Sequence, residues 1–274
     1  MAHTYSNDHS HFDQEPIHTS NVTRFAEQVG LLRNREHDLP ELGVVIGSSG
    51  TGKTTAAQLY FTAEQKRSST NSSCMMIRVM PHMTPRWLLE SITHQIDDVP
   101  RSTTRHVAFQ QALTTLEQCQ VRLLALDEAD NLRYEHLEVL SSLLRETTCS
   151  ILLIGLPSLL TRIEKYRRLA ACVSFSLQFL PLSDEEMFTS FLPQLTLPGW
   201  TFNPKNETAM YMGEYLWRNT CPSLRRLITI LANTSQITQL RGVPTITIEE
   251  IRLAIQMMDF QKGSSDTQSS EEDM

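Results

Sequence analysis

The sequence predicts an α/β fold, a parallel sheet flanked by helices, followed by a small C-terminal all-helical domain. Three observations lead there. Short apolar, β-branched runs alternate with helix-like stretches from Leu42 to Phe179. A glycine-rich loop, Gly47 to Gly52, separates the first such run from the first of those helices. After Pro181 the strand signals largely cease and helix start signals take over. Repeated strand–helix units of this length require crossover connections, and crossovers make neighbouring strands parallel.

The elements follow in order. Leu42–Ile46 reads as a buried strand stopped at Gly47, and Lys53–Gln65 as a helix. A Ser/Thr/Asn connector, Ser68–Ser73, leads to a second strand, Cys74–Met80. Thr84-Pro85 supplies an N-cap and a proline at the first helical position, opening a helix to Ile96. A helix over Thr104–Cys119 precedes the apolar strand Val121–Leu126. Helix Arg133–Glu146, strand Ile151–Ile154, helix Pro157–Tyr166 and strand Val173–Phe179 complete the series. Beyond it, Ser183-Asp-Glu-Glu186 is a cap followed by acids suited to the positive helix end. Helices are expected over Asn206–Arg218, Ser223–Thr238 and Ile248–Met258. Domain boundaries are placed at 21–180 for the α/β part and 181–262 for the helical part. The polar ends, 1–20 and 263–274, are read as disordered.

Composition narrows the function classes. The 274 residues are 40% hydrophobic and 20% charged, as in a globular protein. The longest nearly apolar run, Ser150–Leu160, is about half of a membrane span, and no signal-peptide segment opens the chain. Five scattered cysteines without a CxxC pair argue against a disulfide framework or a zinc ribbon. A cytoplasmic protein is expected. The net charge of -7 resides in the ends, in Asp8, Asp13 and Glu15 and in Asp266, Glu271, Glu272 and Asp273. The body between them is neutral, so a polyanionic partner is not excluded. Four histidines (His3, His9, His11, His18) in the N-terminal segment lack a scaffold for a metal.

Gly47-Ser48-Ser49-Gly50-Thr51-Gly52-Lys53-Thr54 satisfies GxxxxGK[ST] between a strand and a helix. Its glycines let the backbone curl so that amides point at phosphate oxygens, with the helix N-terminus behind them. Lys53 is expected to reach the β- and γ-phosphates of ATP, Thr54 to offer its hydroxyl to Mg2+, and Thr55 to lie beside it. The strand ending Leu126-Asp127-Glu128 delivers two carboxylates to the ligand edge of the sheet. Asp127 is the candidate Mg2+ residue, and Glu128 the candidate base polarising the attacking water. Asp127-Glu128-Ala129-Asp130 also spells a helicase-like tetrapeptide, but no second motor domain accompanies it.

These motifs resemble the AAA+ ATPases. The LLALDEAD segment followed by Asn131-Leu132, the ILLIG strand with Pro157-Ser-Leu-Leu160, and the helical tail domain are similar to the TniB/TnsC/MuB group of transposition regulators. The resemblance covers roughly Val22 to Asp259 and implies an AAA+ core with a C-terminal lid. It further implies slow, regulatory ATP hydrolysis and a homo-oligomer, ring or filament, on double-stranded DNA. A transposase and a target-selection factor are the implied partners. The family's polar γ-phosphate sensor slot holds Leu156 and Pro157 here, with Ser158 beyond. The slot of its arginine finger holds Cys172, so Arg167 and Arg168, or another arginine from Arg162 onward, are the candidates. The lid arginine falls on Arg225 or Arg226.

No sequence-reading module is visible, so DNA contact is expected to be to phosphates and independent of sequence. Arg101, Arg105, Arg133 and Lys66-Arg67 are candidates by charge, while Trp87, Trp200 and Trp217 read as packing residues. Two alternatives stand beside the transposition regulator: a loader or remodelling ATPase, and an NTPase signalling switch.

Overall fold

A computed structural model describes residues 17–34, 40–67, 73–95 and 104–268, with side chains as far as Asp259. Of the residues singled out above, His3, Asp8, His9, His11, Asp13, Glu15, the connector from Ser68 up to but not including Ser73, Ile96, Arg101 and the last six positions lie outside these. Two compact units are present, Ser20–Pro181 and a second that runs from Leu182.

In the first unit five parallel strands stand in the order β2-β3-β4-β1-β5. They are β1 (Leu42–Gly47), β2 (Cys74–Arg78), β3 (Leu123–Asp127), β4 (Ser150–Gly155) and β5 (Val173–Phe179). The helices are α1 (Ser20–Asn34), α2 (Lys53–Arg67), α3 (Pro85–His94), α4 (Arg105–Gln118), α5 (Tyr134–Glu146), α6 (Ser158–Lys165) and α7 (Arg167–Ala170).

The central strands carry near-continuous apolar runs because both faces are covered. Alternate residues of β4 go to opposite cores: Ile151 and Leu153 join the cluster of α3, α4 and α5, whereas Leu152 and Ile154 join Phe25 of α1 and Phe61 of α2. The sequence reading had left out α1. Its buried residues Phe25, Val29 and Leu32 keep helical spacing, but charged and polar neighbours and Gly30 dilute the pattern. The expected helix Pro157–Tyr166 is α6 to within a residue at each end; Tyr166 leaves helical geometry at φ -101, ψ 83, and the short α7, which the sequence reading did not include, follows it.

The second unit is all helical. Asp184–Glu186 (α8) runs through π-type turns at Met187–Phe191 into Leu192–Gln194 (α9), followed by α10 (Glu207–Thr220), α11 (Leu224–Leu240) and α12 (Ile248–Gln268). Helix α12 extends ten residues beyond the expected Met258. Trp200 and Trp217 are buried here, and their indoles donate to the Leu192 carbonyl (3.3 Å) and to Asp184 (2.9 Å). Trp87 departs from its assignment as a packing residue: on the first turn of α3 it is 48% exposed.

Candidate nucleotide-binding site

The loop between β1 and α2 is built for close approach. Gly50 and Gly52 take φ +79 and +93, a region costly for other residues. At Gly47 a Cβ would lie 2.7 Å from the Phe179 carbonyl oxygen, so no side chain fits there. Thr51 is buried and donates to the Ser48 carbonyl at 2.9 Å, bracing the curl, while Ser48 and Ser49 are exposed at its crest. Lys53, the first residue of α2, folds its ammonium back to donate to the carbonyls of Gly47 (2.7 Å) and Ser48 (2.8 Å). This is a cationic group held at the mouth of an amide-lined curl. Thr55 is exposed one residue beyond Thr54.

Asp127 ends β3 with only 3% exposure. Burial pushes its carboxyl above the usual range, against the lowering effect of hydrogen bonds from the Thr54 hydroxyl and the Glu128 amide. Thr54 and Asp127, 73 positions apart, are thus brought together at the carboxyl edge of the sheet. A hydroxyl beside a buried carboxylate is a hard-oxygen pair suited to Mg2+. The donor set and the glycine cradle both fit Mg2+-ATP.

Glu128 sits in the left-handed region (φ 55, ψ 38) at the entry to a tight turn, Ala129–Asn131. Its carboxylate pairs with the guanidinium of Arg78, the last residue of β2. Arg78 did not figure among the sequence candidates. The available signal was a cation ending an apolar strand at the same edge as Asp127.

The turn after Glu128 is tied on both flanks. Toward β2, the Val79 amide donates to the Asp127 carbonyl (2.8 Å) and the Asn131 side chain to the Val79 carbonyl (3.1 Å). Toward β4, the Asp130 carboxylate accepts the Leu156 amide at 3.1 Å. Gly155 permits that contact, since its Cβ would stand 2.7 Å from Asp130 Oδ1. Arg162 of α6 donates to the carbonyls of Asp130 (2.8 Å) and Leu132. Arg162 therefore braces this turn. Arg167 and Arg168 on α7 are exposed. Ser158 only begins α6, and Leu156 and Pro157 offer no polar side chain.

In the helical unit the two arginines separate. Arg226 pairs with Asp259 at 2.8 Å, whereas Arg225 is exposed on the first turn of α11. Of the charge-based DNA candidates, Arg67 pairs with Glu64, Arg105 donates to the Glu135 carbonyl at 3.3 Å, and Arg133 contacts His82 at 3.3 Å.

A five-stranded parallel sheet of this order, with a phosphate loop after β1 and paired carboxylates after β3, defines the AAA+ P-loop fold. Residues 36–163 match the family model described as an AAA domain. Among solved structures, the chain is similar to the ORC1 protein of Aeropyrum pernix in complex with DNA, with a TM-score of 0.67 and 18% identity over 89% of this chain and 66% of that one. It is also similar to the ADP form of ORC2 from the same organism (TM-score 0.69, 17% identity, 91% and 71% coverage). A third likeness is to the RuvB Holliday junction branch migration motor of Thermotoga maritima (TM-score 0.53, 13% identity, 88% and 70% coverage). The chain thus spans about two thirds of the length of these proteins. No curated protein matches it by sequence.

Proposed function

We propose that the chain is an ATP-switched regulator of DNA transposition that oligomerises on target DNA and recruits or activates a transposase. The observation that carries this reading is a nucleotide site complete for binding and restrained for turnover. Lys53, Thr54 and Asp127 stand together, whereas Glu128 is held by Arg78 and the Leu156-Pro157 step brings no polar group. A protein whose output is assembly needs two states told apart by nucleotide, more than it needs rapid hydrolysis.

When bound, Mg2+-ATP supplies a γ-phosphoryl group for in-line transfer to water. The amides of the Gly47–Thr54 loop would cradle the phosphates, with Lys53 free to exchange its two loop carbonyls for phosphate oxygens. Thr54 and Asp127 would hold the metal. Glu128, once released from Arg78, orients the water and takes its proton. Arg167 and Arg168 are the cations available to a neighbouring copy's phosphates, and Arg225 is the one available from the lid.

The transposition assignment rests on the LDEAD-N-L and LLIG-x-P-x-L patterns. The DNA part is supported by fold relatives described as bound to DNA or as a branch migration motor. Imaging of the full chain with duplex DNA tests it. Rings or filaments formed with a non-hydrolysable ATP analogue, and absent with ADP or in Lys53→Ala, are the expected result; isolated particles in every condition overturn it. A loader or remodelling ATPase is the second reading, favoured by the likeness to a branch migration motor. DNA-stimulated turnover indifferent to a transposase would select it.

A further inference from the structure

Two clefts of about 580 and 560 Å3 open on the helical face of the core formed by α4, α5, α6 and α7, and both have Tyr166 in their walls. The first is lined by Arg133, Arg162 and Lys165, the second by Arg105, Arg145 and Arg168; Arg162 braces the Asp130 turn and Arg168 is assigned to a neighbouring copy's phosphates, which leaves Arg105, Arg133, Arg145 and Lys165 as the band. Carboxylates are present as well: Asp130 in the first, occupied by the Leu156 amide, and Glu138 and Glu146 in the second. Among the described residues, none of the six cations is ion-paired, although seven pairs form elsewhere in the molecule. Their hydrogen bonds go to neutral groups: Arg105 to a carbonyl, Arg145 to the Ser141 carbonyl and Ser142 hydroxyl, Arg162 to two carbonyls.

At the rim of the first cleft His82 takes a left-handed backbone (φ 61) and brings Nδ1 to 3.3 Å from Arg133. Tyr134, 60% exposed, stands edge-on to Tyr166 at 5.1 Å and gives the cleft an open aromatic wall.

We propose that this basic band around Tyr166 is the surface that receives the phosphate backbone of duplex DNA; the inference rests on the DNA-binding part of the proposed function. Arginine forks match phosphate oxygens in pairs, and a backbone offers anions at regular spacing to two adjoining clefts. Tyr134 adds an exposed aromatic ring beside these cations. Within a body of neutral net charge, the two clefts together hold six cations against Asp130, Glu138 and Glu146.

The test is fluorescence anisotropy of a labelled duplex with the full chain and a non-hydrolysable ATP analogue, over a range of salt. The band variant carries Arg105→Gln, Arg133→Gln, Arg145→Gln and Lys165→Gln. A control of equal charge change carries Arg24→Gln, Arg122→Gln, Lys205→Gln and Arg218→Gln. Mass photometry without DNA establishes that the band variant still assembles. The expected result is a tenfold or greater loss of affinity in the band variant alone, with the slope of log K against log salt reduced by roughly 0.9 for each phosphate contact removed. Wild-type affinity in the band variant overturns the surface and leaves the DNA reading intact. No DNA binding by the wild type overturns both. Loss of assembly in the band variant makes the band a contact between copies and overturns the proposal. So does binding of labelled polyglutamate by a wild type that ignores DNA.

Discussion

Arg78 and Glu128 are 50 positions apart and meet only because β2 lies beside β3, so their pairing is a property of the sheet rather than of either motif. While the guanidinium holds the carboxylate, Glu128 is engaged away from the base role proposed for it. Arg78→Ala is expected to raise basal ATP turnover several-fold, measured as phosphate release without DNA; unchanged or lower turnover would show that the pair does not restrain Glu128. Glu128→Gln is expected to cut turnover by about 100-fold while leaving nucleotide affinity intact, as removal of a general base does. Asp127 behaves differently. Burial raises its pKa, so the carboxylate proposed to hold Mg2+ forms at higher pH than an exposed aspartate would, and Mg2+ affinity should strengthen as pH rises through that raised value. Titration of Mg2+-dependent nucleotide binding checks the sign.

At the scale of elements, α12 owes its start to a reciprocal cap. The Glu250 carboxylate accepts from the Thr247 amide at 3.1 Å and from its hydroxyl, and Arg241 approaches at 3.4 Å. The Thr247 hydroxyl is the largest of the causes that hold Glu250 below the usual carboxylate range. A lowered folded-state pKa contributes stability above the unfolded value and loses it as pH falls through the folded one. Glu250→Gln should therefore destabilise the helical unit by about 1 kcal/mol at neutral pH, with the difference closing in acid. Thermal melts of both proteins across pH decide this; an equal gap at every pH would sink it. The Thr247 start signal was legible because a cap is local, four residues on one stretch of chain. For the same reason the phosphate loop and the β3 carboxylates could be read directly. Arg78, Asp130 and Arg162 could not, since their partners lie 26 to 50 positions away and only the sheet order brings them close. Helix α1 was hidden by composition, and α7 by its length of four residues.

For the molecule as a whole, the nucleotide site belongs to one compact unit, Ser20–Pro181. Ligand that binds only the folded state stabilises by mass action, about 2.7 kcal/mol at a hundredfold excess over Kd. Calorimetry with Mg2+-ATP analogue should raise the transition of that unit in the wild type and leave it unmoved in Lys53→Ala. A shift that survives in Lys53→Ala would place binding elsewhere.

The strand order also leaves β2 with a neighbour on one side only. Its run Cys74-Met75-Met76-Ile77 is uncharged and largely buried, the kind of rim that recruits strands from other chains once its cover loosens. The one charge on that strand is Arg78, at its end, where it also serves as a gatekeeper against aggregation. Removing Arg78 to free Glu128 therefore strips the rim of its guard. Preparations of that variant should cloud on warming sooner than their melting temperature alone would suggest.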